Sequence, residues 1–264
     1  MSEEANARGS PASPALQDSW AALRQLTTAR IGLPRSGASL ATQPLLELRL
    51  AHARARDAVH HPLDEPRLIA ALGGLGPPVL AAASAVRDRR EYLMRPDLGR
   101  RLDARSHAML AAQAGSYGLA VVIADGLSAA AVEAHAPAVL AAALPALASR
   151  HCRVAPLVIV RQGRVAIGDH VAAALGATAV AVLIGERPGL SSPDSMGLYM
   201  TWRPHPGSTD ADRNCISNIR PEGTAPGAAA AKMVHLLDQM RRCGFSGVRL
   251  KESPAAGQVI AGSS

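Results

Sequence analysis

Glu186 stands directly after Gly185 at the end of an unbroken apolar run, ATAVAVLI (177–184). It opens GERPGLSSPDS (185–195), which gathers two glycines, two prolines, three serines and three charged residues. A carboxylate at the end of a buried strand is costly without a donor. Arg187 is one candidate donor, and an amide or hydroxyl of a ligand is another. Two other apolar runs end in the same way, in ADGLS (124–128) and in RQGRVAIGD (161–169), which contains Val165. Each such end carries glycine, which permits close backbone approach, together with an acid or an arginine. One alone is an ordinary β-to-α turn, but three on one rim point to a ligand site outside the carboxyl ends of parallel strands. Cys215, in DADRNCISNIRPEG (210–223), lies among Asn214, Ser217 and Asn218. A cysteine is often a small buried hydrophobe, while the amide and hydroxyl groups around this one suit a polar ligand surface.

Several chemistries are excluded by pattern. No G-x-G-x-x-G follows an apolar run, and GGLG (73–76) closes a helical segment instead. Neither a phosphate-cradling G-x-x-x-x-G-K-[ST] loop nor a G-x-S-x-G nucleophile elbow is present. The nine histidines are scattered, and His60-His61 lacks metal-ligand spacing with neighbouring acids. No side chain is assigned a catalytic or metal-ligating role.

The elements that must position these residues follow from periodicity. From residue 116 the pattern repeats strand, turn, helix. GLAVVIADG, VAPLVIV and TAVAVLI read as strands, and GLYMTW as a fourth. SAAAVEAHAPAVLAAALPALASR reads as a helix interrupted near Pro137, and HVAAALG as a short helix ending at Gly176. APGAAAAKMVHLLDQMRRCG reads as a helix with Pro226 near its start and Gly244 at its end. Unbroken apolar strands alternating with helices imply a parallel sheet covered on both faces. The expected fold is therefore α/β, doubly wound and mainly parallel (Rossmann-like), with an N-terminal helical arm.

That arm begins after residues 1–15, which are small, polar, Pro/Ser-rich and expected to be disordered. LQDSWAALRQLTTAR (16–30) reads as an amphipathic helix with Trp20, Leu23 and Leu26 on one face, fit to dock on its own domain or on a partner. A second helix follows, with Thr42 as N-cap, Pro44 in its first turn and Leu45, Leu46, Leu48 and Leu50 as its apolar side. DEPRLIAALGGLG gives a short helix, and 90–110 a polar connection into another. The resulting division is 1–15, a helical region and connection over 16–115, an α/β domain over 116–252, and a disordered tail over 253–264.

Composition bounds the partners. The 264 residues carry a net charge of +7, but aromatics make up only 2 %, leaving little to stack on bases. Lys232 and Lys251 are the only lysines, and the arginines are spread among acids, which disfavours a nucleic-acid reading. The three widely spaced cysteines form no CxxC pair and fit a reducing compartment. No leader or membrane-spanning segment is expected, and the expected location is cytoplasmic.

The segments RIGLPRSGASLATQPLLELRLAHARARDAVH, YLMRPDLGRRL, VIADGLSAAAVEAHA, VLIGERPGLSSPDSMGLYMTWRPHPGSTDADRNCISNIRPEG and GFSGVRLKE together resemble the small subunit of ethanolamine ammonia-lyase, from about residue 17 to 252. The resemblance implies one part of an adenosylcobalamin-dependent lyase that converts ethanolamine to acetaldehyde and ammonia. A large subunit holds the substrate, and the small one covers the cobalamin at their interface. Carried over by matching segments, the family's cofactor contacts fall on Val165 in GRVAIGD, Glu186 in IGERPG and Cys215 in RNCISN. The D-x-H-x-x-G motif of cobalamin proteins that supply a histidine to cobalt is absent, since Asp169 and His170 are adjacent. The resemblance thus implies no metal ligand from this chain. In some relatives the N-terminal arm directs the enzyme into a bacterial microcompartment. Pro34 and Ala41 depart from the family pattern, where glycine and proline are commoner. The alternative reading is a non-catalytic assembly or tethering module of a larger enzyme.

Overall fold

The computed structural model describes residues 20–27 and 29–250. The expected disordered segments 1–15 and 253–264 lie outside them, as do residues 16–19 and 28 of the first expected helix. Contacts divide the chain into two compact units, 1–51 and 52–264.

In the first unit, α1 (Ala21–Arg24) is a single turn, and Trp20, Leu23 and Leu26 in and beside it are exposed. A two-residue hairpin, β1 (Arg35–Ser36) and β2 (Ser39–Leu40), turns at Gly37 with φ +61°. Helix α2 (Thr42–His60) follows, and its sequence runs on into the second unit. Thr42 is already helical there, rather than the cap in front of the helix. Leu46 and Leu50 are exposed and Ala51 is buried, so the leucines do not form one buried side.

The second unit is built on a six-stranded sheet. Its strands are β3 (Val79–Ala83), β4 (Leu119–Ala124), β5 (Val154–Arg161), β6 (Ala179–Gly185), β7 (Met196–Trp202) and β8 (Arg213–Ile219), in the order β3-β5-β4-β6-β7-β8. The first four in that order run parallel, and β7 and β8 are added antiparallel. Strands β4 and β6 are buried at every position, as continuous apolar central strands must be.

Helices cover both faces, and β4 shows the alternation. Leu119, Val121 and Ile123 belong to the core shared with α3 (Glu65–Leu72), α6 (Ala129–Ala148) and α8 (Pro226–Cys243). Ala120, Val122 and Ala124 belong to the core shared with α5 (Ala104–Ala111) and α7 (Ile167–Leu175). The fold is α/β, with a mixed, mostly parallel sheet.

Four local features of the second unit differ from the sequence reading, two of them in helices. Helix α6 runs unbroken through Pro137 and Pro145. Each proline removes one helical hydrogen bond, but many residues from Ala129 to Leu147 are buried in the core with the sheet and α8, and that packing holds the axis. By length and composition α6 is apolar enough to cross a membrane, yet here it is a core helix. Helix α7 begins at Ile167, ahead of the expected HVAAALG, because Ile167, Val171 and Leu175 form one buried stripe. Its end at Gly176 is as expected: φ is +72°, with Ala177 N–H donating to the Ala172 carbonyl at 2.9 Å.

The other two differences are strands that were not expected. Edge strand β3 lies within 16–115, where the sequence read as helical, because its Val-Leu-Ala-Ala-Ala carries strong helix formers. Strand β8 falls in a polar stretch to which the sequence reading assigns no element. It gains a residue between Ile216 and Ile219 opposite Leu198 and Met196, so its apolar positions fall three apart rather than two.

Candidate functional site

The three polar strand ends meet, and much of their polarity is spent on one another. Asp125, after β4, is buried, and its carboxylate accepts from Gly163 N–H after β5 at 3.2 Å. Burial pushes its pKa up, opposed by backbone N–H groups of Gln162, Gly163 and Gly126 and by Arg89. Arg89 donates to the Gly126 carbonyl at 2.8 Å, the Gln162 amide oxygen at 3.3 Å and the Val59 carbonyl at 2.7 Å. Leu127 N–H donates to the Gly185 carbonyl at 3.0 Å, tying the end of β4 to that of β6. The 186–195 loop is pinned to α6 and its cap, with Ser128 Oγ donating to the Pro193 carbonyl at 3.0 Å and His135 Nε2 3.1 Å from that of Asp194.

Glu186 is half-buried and keeps unused acceptor capacity. Its backbone N–H donates to the Ser195 carbonyl at 2.9 Å, and its Oε2 accepts from Ser195 Oγ at 2.5 Å. Oε1 receives only a long contact, 3.4 Å, from Asn218 N–H. The expected neighbour, Arg187, is not its partner; Ser195 is. Beneath the carboxylate lies Gly197, where a Cβ would stand 2.8 Å from Oε1 and 3.0 Å from the Tyr199 ring. A carboxylate accepts at about four lone-pair positions, so a ligand amide or hydroxyl has room to bind.

Cys215 stands opposite Tyr199 in the β7–β8 ladder and is exposed. Partial burial of its sulfur pushes the thiol pKa up; the Tyr199 hydroxyl opposes this shift and the Glu186 carboxylate adds to it. The Tyr199 phenol is likewise raised, by burial first and then by Cys215. Glu186 and Cys215 therefore belong to one electrostatic group, with Tyr199 between them. Sequence reasoning missed Tyr199, since an aromatic in GLYMTW reads as core.

Val165 is on the same end of the sheet but lines a different feature. A cleft of about 630 Å³ opens beside the first turn of α7, walled by Val165, Arg164, Arg101, Asp169, His170 and Arg213, among others. Glu186 and Cys215 are not among its lining residues. The loop carrying Val165 is held by α4 (Arg89–Met94) and the turn after it. Arg164 N–H donates to the Gly99 carbonyl at 2.7 Å, and the Tyr92 hydroxyl donates to that of Gly163 at 3.2 Å. The Arg164 guanidinium lies 4.1 Å from the Tyr92 ring centre and donates to the Tyr92 carbonyl at 2.9 Å.

Residues 17–251 match the family model described as ethanolamine ammonia-lyase light chain (EutC). The chain belongs to the ethanolamine ammonia-lyase small-subunit family. Ethanolamine ammonia-lyase small subunits from Ralstonia nicotianae and Bradyrhizobium diazoefficiens are 51 % and 53 % identical to it. Those alignments cover 93 % of this chain and 93 % of the first relative, and 88 % and 90 % for the second. The small subunit of Azotobacter vinelandii is 50 % identical over 91 % of this chain and 90 % of its own length. This places the chain as a small subunit of a lyase built from unlike subunits, as the sequence resemblance implied.

Proposed function

We propose that this chain covers adenosylcobalamin at its interface with a large subunit, in a lyase that converts ethanolamine to acetaldehyde and ammonia. The observation that carries the reading is the Glu186 group: a half-buried carboxylate with spare acceptor capacity, set over Gly197 beside the exposed Cys215. Amide groups crowd the rim of a corrin, and a fixed acceptor with open backbone beneath it fits them.

When bound, the cofactor supplies the radical chemistry that lets the amino group leave. This chain's side chains bind and orient. Glu186 accepts hydrogen bonds from cofactor amides or hydroxyls, Cys215 packs against the periphery, and Val165 shapes a wall. The catalytic and substrate-binding residues belong to the large subunit. Exposed Leu93 and Met94 on α4, near the Val165 loop, suit burial against that partner. The free, separated cysteines fit a reducing cytoplasm, and the N-terminal arm is the segment that would direct the enzyme to a microcompartment.

The test is ammonia release from ethanolamine with adenosylcobalamin, using this chain, the large subunit, and both. Activity is expected only in the mixture, and Glu186→Gln is expected to weaken cofactor retention by the assembled enzyme. One observation favours the second reading, a tethering module: Val165 lines a cleft that excludes Glu186 and Cys215. Full activity and full cofactor affinity from the large subunit alone would establish that reading instead.

A further inference from the structure

Ser195 closes the 186–195 loop onto the residue that opens it. It is buried, and it meets Glu186 at two points. Its carbonyl accepts from the Glu186 N–H at 2.9 Å, and its hydroxyl donates to Glu186 Oε2 at 2.5 Å. The direction of the second bond is fixed, because an ionised carboxylate only accepts. Its length places it among the strong, charge-assisted hydrogen bonds.

The two members of this pair are held unequally. Ser195 has supports of its own: the carbonyls of Pro193 and Asp194, directly before it, are fixed by buried Ser128 and by His135 of α6. Directly after it, Met196 enters β7 and pairs with Gly185. The Glu186 carboxylate has no such support. Among the described residues Ser195 is the only side chain that hydrogen-bonds it, and the other contact is the long one from Asn218 N–H. Asn218 is itself fixed, with φ +54° in the left-handed region, its carbonyl accepting from Thr224 N–H at 2.8 Å and its Oδ1 from Arg220 Nε at 2.9 Å. The dependence therefore runs from Ser195 to Glu186. A hydroxyl also steers a carboxylate without neutralising it: one proton takes one of about four lone-pair positions and leaves the charge in place. An arginine fork at the same point would take two positions and compensate the charge.

We infer that Ser195 is a positioning residue: its hydroxyl, backed by α6, holds the Glu186 carboxylate in one orientation over Gly197 and leaves Oε1 for the incoming amide or hydroxyl. The inference rests on the cofactor reading given above. Ser195 itself touches no ligand, since it is 6 % exposed and its one hydroxyl proton is committed to Oε2. Without that proton a half-buried glutamate side chain spreads over its rotamers, and a ligand has to order it on binding. The seat also explains the glycine beneath it, because a Cβ at position 197 would stand 2.8 Å from Oε1 and push the carboxylate off this position.

The experiment uses the assembled two-subunit enzyme and measures adenosylcobalamin affinity by absorbance titration. The variants are Ser195→Ala, Ser195→Thr, Glu186→Ala and the double change Ser195→Ala/Glu186→Ala. Ser195→Ala is expected to weaken binding by about fivefold, the loss that comes from ordering one freed side chain. Ser195→Thr keeps the hydroxyl and is expected to restore the parent affinity. In the Glu186→Ala background the serine has nothing left to position, so Ser195→Ala is expected to cause no further loss. An equal loss in both backgrounds would make Ser195 a structural closure of the loop, and would overturn the inference while the cofactor reading stands. Parent affinity in Ser195→Ala, or a threonine variant as weak as the alanine one, would do the same. Unchanged affinity in Glu186→Ala would remove the carboxylate from the cofactor surface and overturn the inference together with the assignment of Glu186.

Discussion

Asp169 and Arg213 meet in a two-point ion pair, with both side chains 2 % exposed, joining α7 to β8 across the end of the sheet. Removing one member strands a buried charge, which costs about 3–5 kcal/mol. Asp169→Asn is therefore expected to lower the denaturant midpoint steeply, and Arg213→Met comparably. The double change Asp169→Leu/Arg213→Met is expected to recover much of the loss, since no unpaired charge remains. Urea unfolding of the four proteins checks this, and additive losses in the double variant would contradict it.

Gly185 sets how closely the β6 end approaches the β4–α6 turn. A Cβ there would overlap the Ser128 carbonyl and stand 2.6 Å from that of Asp125. Backbone atoms cannot swing aside as a flexible side chain does, so Gly185→Ala is expected to cost about 3 kcal/mol or more. Gly227, in the first turn of α8, has nothing within 4 Å of its Cβ position. Gly227→Ala is expected to stabilise by about 0.4–1 kcal/mol. Melting temperatures of the pair should move in opposite directions from the parent.

Tyr92 is fully buried, and burial pushes its phenol up to about 12, partly opposed by the flanking Arg164 and Arg89. The unfolded phenol titrates near 10. The neutral phenol's contribution is thus complete below pH 10 and lost as pH rises through about 12, in total about 3 kcal/mol. Tyr92→Phe also loses the bond to the Gly163 carbonyl, about 1 kcal/mol at neutral pH. The parent's advantage over the variant is expected to vanish and change sign as pH rises from 10 to 12. A difference that stays constant across that range would show the phenol to be ordinary.

What the sequence made legible were features written in uniform runs. Central strands β4 and β6 are buried on both faces, so their apolar runs need no context. Gly176 and Gly244 end helices in the left-handed region that their type foretells. What stayed hidden depends on tertiary neighbours. The extra residue in β8 shifts its apolar spacing, and the alanines of edge strand β3 are decided by pairing with β5. At the rim, position along the chain foretold that the three ends would converge, because parallel strands must end together. It did not foretell that Asp125, Arg89 and Gly163 would satisfy one another and leave Glu186 with the spare capacity. Nor did it show the arginines gathered around Val165, contributed by three separate segments.

Cys215 offers the most direct probe of the rim, because its neighbours push its thiol in opposite directions. Partial burial and the Glu186 carboxylate disfavour the thiolate, and the Tyr199 hydroxyl favours it. Alkylation by iodoacetamide requires the thiolate, so its rate against pH reports the balance. Glu186→Gln removes a negative charge and is expected to move the midpoint down. Tyr199→Phe removes the favourable donor and is expected to move it up. Mass spectrometry separates this site from buried Cys152 and exposed Cys243. Shifts of opposite sign would establish that the three side chains act on one another, as a shared ligand surface requires. Parallel shifts, or none, would separate Cys215 from the Glu186 group.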